Sequence, residues 1–284
     1  MTPPLIAVIG PIEPALLTAW TSHYRALGVQ RFQIAFHFPD HTAPAHSAQL
    51  LGLAADLGIG PALTSGGPWH EHTNTDLRER LRTLAGPGWH LLADSDEFHQ
   101  FPTGIDEEIT AAEHAGHAVI GGLLLDRVAA DGELRRISPG LDLDSAFSLG
   151  GHLTYRLLHG DPRKIVAVRS DVVVASGNHR APDYRPDPDR LVCVHHFKWR
   201  GGVLADLHQR VARFGAGEWI EHTPAVRAEA GRLLDHVGRH HGRIDTADPR
   251  PAWRPVSLDR VPAEWDIEAR TIHLGWRPPS TRED

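Results

Sequence analysis

The sequence predicts an α/β fold: a mostly parallel sheet flanked by helices. Three observations carry this. Over the first 120 residues, short apolar runs alternate with amphipathic runs of helical spacing. That β-α-β-α-β-α-β order gives parallel strands joined by crossover helices. The chain has 284 residues, enough for a full hydrophobic core. Its 41% hydrophobic and 23% charged fractions are those of a globular protein.

The elements follow in order. Leu5–Ile9 is an apolar run closed by Gly10-Pro11, a buried strand and its turn. Between Pro14 and Leu27, the positions Leu16, Leu17, Trp20, Tyr24 and Leu27 keep helical spacing, and Gly28 caps the helix. Phe32–Phe38 is the second strand, Ser47–Leu57 the second helix, and Pro61–Thr64 a short third strand. Thr75–Leu84 reads as a helix with Asp76 early and arginines late, in line with the helix dipole. Trp89–Ala93 is a fourth strand, Asp106–Ala115 a helix ended by Gly116, and His117–Leu125 a further strand.

Residues 126–162, rich in Gly, Asp, Ser and Pro, read as a long functional loop region. Strands return at Lys164–Arg169, Val172–Ser176 and Leu191–His195, and helices at Val203–Phe214 and Thr223–His236. From about residue 241 the chain is Pro-, Arg- and Trp-rich. This predicts a main domain over 1–240 and an irregular tail, 241–284, docked on it through Trp253, Trp265 and Trp276.

Composition excludes several classes. The single cysteine, Cys193, excludes an intrachain disulfide framework and a four-cysteine zinc site. A formal charge of −7 is a poor footprint for a duplex DNA binder. No apolar run reaches the ~20 residues of a membrane span, and no secretory signal is visible, so the expected compartment is the cytoplasm. Only two of the 29 basic residues are lysines, Lys164 and Lys198, which reads as genome composition. No Gly-rich dinucleotide loop, Walker loop or nucleophile elbow occurs.

In sheets of this kind, ligands sit beyond the carboxyl ends of the strands. The tips Gly10–Glu13, His37–Asp40, Ser65–His70 and Asp94–Phe98 are therefore the places for a site. The strongest chemical signal is Asp94-Ser95-Asp96-Glu97-Phe98, three carboxylates directly after an apolar strand. Such a cluster suits a hard cation, Mg²⁺ or Mn²⁺, bridging to a diphosphate; a plain acidic helix start is the alternative. The second signal is His195-His196-Phe197-Lys198-Trp199-Arg200. Adjacent strand residues face opposite sides, so only one of the two histidines can serve a given site. Lys198 and Arg200 lie where they can contact phosphates. Weaker signals are His70/His72 around Glu71, Asp126-Arg127 at a strand end, and Gly177-Asn178-His179.

Together these motifs, with Trp20-x-x-x-Tyr24-x-x-x-Gly28-Val29 and Asp126-Arg127-Val128-Ala129-x-Asp131-Gly132, resemble the family 2-like glycosyltransferases of the GT-A fold, in the branch whose metal motif reads Asp-x-Asp-Glu-Phe. The resemblance covers about residues 5–215 and implies a Rossmann-type sheet, a nucleotide-diphosphate sugar donor and Mn²⁺ or Mg²⁺. It implies Asp94 near the ribose or the metal, Asp96 on the metal, and His196 completing the ligands. Pro11, Glu13, Asp40, Asp94, Ser95 and Lys198 are the expected donor contacts. The chain departs from relatives that carry Asn-Glu after the first strand, having Gly10-Pro11-Ile12-Glu13. The expected reaction is an inverting transfer of sugar to a small or secondary-metabolite acceptor, with no nucleic-acid partner. Asp126 is the expected general base, and His179 the alternative. Two other readings stay open: hydrolysis of the donor by water, and a non-catalytic nucleotide- or glycan-binding module.

Overall fold

The computed structural model describes residues 2–277. Met1 and residues 278–284, the end of the expected extension, lie outside the described residues. The first half is built as the alternation requires: β1 (Leu5–Ile9), α1 (Pro14–Ala26), β2 (Phe32–Pro39), α2 (Pro44–Asp56), β3 (Leu63–Gly67), α3 (Thr73–Ala85) and β4 (Trp89–Leu92). Both α1 and α2 begin with a proline, whose fixed φ suits a first turn that needs no N–H. The α1 stripe Leu16, Leu17, Trp20 and Tyr24 is wholly buried on the sheet. Gly28 ends α1 at φ 90°, and Val29 N–H returns to the Tyr24 carbonyl at 3.0 Å.

The second half comprises β5 (Glu97–Gln100), α4 (Ile105–His114), β6 (Val119–Val128), α5 (Leu143–Ala146), β7 (Leu149–Gly151), α6 (Leu153–Arg156), β8 (Arg163–Arg169), β9 (Val192–His196), α7 (Val203–Gly215), α8 (Ala225–Arg239), β10 (Arg254–Pro255) and α9 (Trp265–Gly275). The sheet runs β10-β7-β6-β8-β4-β1-β2-β3, and β9 joins β6 to β5. β4, β1, β2 and β3 are parallel, as is β9 on β6. β8 lies antiparallel between β4 and β6. The strand periodicity of Lys164–Arg169 did not disclose that reversal.

Three expectations are corrected. Val172–Ser176 is not a strand, although its valines alternate as in one: Val172 and Val174 are buried and Val173 is 71% exposed. Its carbonyls accept from side chains instead of a neighbouring strand, Val172 O from Arg82 Nη2 at 2.8 Å and Val174 O from Arg78 Nη2 at 2.7 Å. Residues 126–162 are not a long loop; they contain the end of β6, then α5, β7 and α6. The C-terminal segment is not the wholly irregular tail expected; it carries a short strand and a helix. Its β10 adds to β7, and α9 packs Trp265, Ala269 and Ile272 against Leu123, Leu125 and Cys193.

Candidate functional site

A cavity of about 410 Å³ opens at the carboxyl ends of β1, β2 and β4, roofed by α7 and α8. Of the expected site residues, Pro11, Asp94, Ser95, Asp96, His179, His196 and Lys198 line it. Asp94 continues from β4, and Asp96 precedes β5, whose first residue Glu97 pairs in register with His196. Asp126 of β6 pairs with His196 on its other side. Three strands thus present one row, Glu97–His196–Asp126.

Asp94 is a half-buried carboxylate already matched with a cation. Lys164 Nζ donates to Asp94 Oδ2 at 2.8 Å, and contacts Glu97 Oε1 and the Gly177 carbonyl, each at 2.7 Å. Asn178 Nδ2 reaches Asp94 Oδ1 at 3.3 Å, and Asn178 is itself held by Arg78 at 2.6 Å. Burial works against the charge of Asp94, yet Lys164 holds its carboxyl below the usual range. Burial and the adjacent Asp94 charge push Glu97 up to about 7. The same pair of carboxylates raises the Lys164 ammonium against its own burial.

Asp96 faces the cavity more freely. Its nearest cation is Arg200 Nη1 at 3.5 Å, and Arg200 Nε is tied to Glu13 Oε2 at 2.9 Å. Glu13 therefore stands behind the cavity wall and places Arg200. Asp40, expected as a donor contact, also lies off the cavity, 43% exposed beside His41 and Arg213.

Asp126 does not fit the general-base role expected of it. It is wholly buried, and its oxygens accept from four donors: Thr154 N at 2.6 Å, Thr154 Oγ1 at 2.8 Å, His196 Nδ1 at 2.8 Å and Trp199 Nε1 at 2.7 Å. Burial opposes its charge, but His196, Thr154 and Trp199 together outweigh it and hold the carboxyl down. Nor does Arg127 pair with Asp126. Strand alternation turns Arg127 to the other face, where it meets Asp144 Oδ1 at 2.8 Å and His195 Nδ1 at 3.2 Å.

The histidine pair is thereby resolved. His195 is buried against Arg127, and Gln100 Oε1 lies 3.0 Å from its Nε2. Burial keeps His195 well below the usual pKa. His196 lines the cavity with Nδ1 committed to Asp126, which leaves Nε2 for a ligand. Burial disfavours its protonated form, but Asp126 and the Asp96 charge raise its pKa overall. His179 donates from Nδ1 to the Arg163 carbonyl at 2.9 Å, and burial and Lys164 keep its ring neutral.

Several cavity residues were not singled out from the sequence. Lys164 and Glu229 are the main ones; Glu229 accepts from Lys198 Nζ at 2.9 Å. Arg210 stacks on the Trp69 ring at 4.6 Å and makes no hydrogen bond among the described residues. His37 Nε2 and Trp219 Nε1 are buried polar atoms without partners, and both residues line the cavity. The composition held one usable signal: in a chain that writes nearly every cation as arginine, both lysines stand at this cavity.

The donor set bears on the expected metal. Asp94 is not a free ligand, because Lys164 and Asn178 occupy its oxygens. Asp96 and His196 remain. Among the described residues no three His, Cys, Asp or Glu side chains form a metal-holding group. Two protein ligands still suit Mg²⁺ or Mn²⁺ where substrate phosphates and water complete the shell.

No model of a known protein family matches this chain, and no curated protein matches it. Solved structures with some likeness include S. aureus TarS, at 12% identity and TM-score 0.33, covering 87% of this chain. The chain spans 45% of that TarS chain. TarS residues 1–349 in complex with UDP-GlcNAc gives 12% identity and TM-score 0.36, over 84% of this chain and 73% of that one. HddC from Yersinia pseudotuberculosis gives 10% identity and TM-score 0.28, over 45% of this chain and 59% of that one. Overlap at these scores bears on no residue of the site. Among the described residues, no helix is long and apolar enough to cross a membrane.

Proposed function

We propose that the chain is a glycosyltransferase, moving a sugar from a nucleotide-diphosphate donor to a small-molecule acceptor. The observation that carries this reading is the shared placement of Asp96, His196, Lys198 and Arg200 in one cavity at the carboxyl edge of the sheet. Arg200, Arg210 and Lys198 supply positive charge for a diphosphate. The unpartnered His37 Nε2 and Trp219 Nε1 suit a polar ligand on the β2 side. Asp96 and His196 Nε2 would hold Mg²⁺ or Mn²⁺; when bound, the cation neutralises charge that develops on the leaving diphosphate. Asp126 fixes the tautomer and ring plane of His196. Lys164, Asn178 and Arg78 hold Asp94 in one orientation beside the donor.

The deciding experiment is calorimetry of UDP, dTDP and GDP with Mn²⁺ and with excess chelator. One diphosphate should bind with Mn²⁺, and Asp96→Asn should weaken it at least tenfold without loss of fold. Equal affinity in chelator would remove the cation from the site. Sugar release that is independent of any acceptor would favour donor hydrolysis.

A further inference from the structure

An inverting transfer requires a group that takes the acceptor proton, and Asp126 is sealed away from the cavity. We infer that Glu229, at the cavity face of α8, is the catalytic base, on the strength of a carboxylate oxygen left without a donor beside Gly160. This rests on the transfer reading above.

Of the other cavity carboxylates, Glu71, Asp94, Glu97 and Asp161 are engaged, and Asp96 is the proposed cation ligand. Glu71 Oε2 accepts from His222 N at 2.6 Å and Thr223 N at 2.7 Å, and its Oε1 from Thr223 Oγ1 at 2.7 Å. Asp94 and Glu97 share Lys164. Asp161 is doubly bonded by Arg163 at 2.9 and 2.8 Å. Asp206 accepts from no donor among the described residues, but it sits on α7 near Arg200 and Arg210, the flank proposed to hold phosphates.

Glu229 differs. Its Oε1 is fixed by Lys198, while among the described residues no donor reaches Oε2. Oε2 lies over the bare Cα of Gly160, where an added Cβ would stand 2.8 Å away. A side chain at position 160 would therefore displace that oxygen, while Glu229 itself lines the cavity. Burial disfavours its charge, but Lys198 keeps the carboxylate ionised, the form a base must have before it accepts a proton. His179, the other candidate, has its Nδ1 committed to the Arg163 carbonyl, and burial and the Lys164 ammonium both oppose its gaining a charge. Its Nε2 also rests over Gly177, 2.7 Å from where a Cβ would be.

In the step, the acceptor O–H proton passes to Glu229 Oε2 while the oxygen bonds to the anomeric carbon. The bond from that carbon to the diphosphate oxygen breaks, and its electron pair leaves with the diphosphate.

The test uses the full chain with Mn²⁺ and a panel of UDP-, dTDP- and GDP-sugars, measuring release of the nucleoside diphosphate with a pool of hydroxylated acceptors. Glu229→Gln should lower kcat about 100-fold or more, with nucleoside diphosphate binding retained, since the Gln amide oxygen can still accept from Lys198 Nζ. Glu229→Asp should restore part of the rate, and the acid limb of the pH–rate profile should vanish only in the Gln variant. Gly160→Ala provides a second probe that keeps the carboxylate but shifts its Oε2: it should lower kcat about tenfold with diphosphate binding retained. A Glu229→Gln rate within threefold of a working wild type overturns the inference and leaves the transfer reading standing. So does a loss that follows His179→Ala instead. Wild-type protein that binds a diphosphate but turns over no sugar nucleotide overturns both.

Discussion

The tips of β4 and β6 each carry an acidic residue at the carboxyl end of an apolar strand, yet they do opposite things. At β4, Asp94 and Asp96 face the cavity, and Asp96 meets its nearest cation only at 3.5 Å. At β6, Asp126 is enclosed, with four donors on its two oxygens. An acidic strand end is therefore a binding group only where the packing leaves it lone pairs. Where neighbouring strands cover it, the same residue becomes a bracket for someone else's side chain.

The comparison can be broken most severely at β6. Asp126→Ala strands three buried donor residues, Thr154, His196 and Trp199. Losing one side of such a buried network costs about 3–5 kcal/mol, measurable as a drop in the urea midpoint. Asp126→Asn keeps the shape and should cost less, while releasing the His196 tautomer and weakening Mn²⁺-dependent diphosphate binding. If Asp126→Asn lowers kcat but leaves that binding untouched, the bracket role is wrong.

At β4 the expected effect is smaller. Lys164→Met leaves Asp94 and Glu97 facing each other without their ammonium. Glu97, already pushed up to about 7, should then hold its proton at neutral pH, so the stability loss stays at about 1–3 kcal/mol. Thermal unfolding at pH 6 and pH 8 checks this: the variant should lose more at pH 8, where the proton is harder to keep.

How much of this contrast was readable in the chain depends on what makes each feature. The α/β class came from periodicity, which is local, and the acidic run after β4 came from composition in context. Asp126 was recognisable as a strand-end acid, but its sealing needed β9 and Thr154 of α6, which meet it only in three dimensions. Val172–Ser176 had strand periodicity without a strand to pair with, since Arg78 and Arg82 claimed its carbonyls. Glu229 carried no signal at all; it is one more acid on an amphipathic helix. The scarcity of lysine was visible, and its explanation by genome composition hid the fact that both exceptions sit at the cavity.

The smallest effect lies away from both tips, where the C-terminal segment docks. Burial opposes the charge of Glu268, but His152 at 3.0 Å and Arg254 hold it down to about 2. Its folded pKa lies below the ordinary 4.5, so its contribution is present above pH 4.5 and is lost as pH falls from there towards 2. Glu268→Gln should flatten that part of the stability–pH curve while leaving diphosphate affinity at neutral pH unchanged. An unchanged acid limb would show that this contact does not hold the segment.

The row Glu97–His196–Asp126 also has a consequence for synthesis. His196 lies 70 residues beyond Asp126, and Arg200 lies 187 beyond Glu13. A nascent chain that has emerged only through β8 holds the Asp94–Glu97 motif but has none of the second histidine strand, so the cavity has no far wall. Contacts this distant in sequence form late and slowly. The site is thus a feature of the finished polypeptide, and a ribosome-stalled fragment ending before residue 196 would display the acidic motif without a pocket to work in.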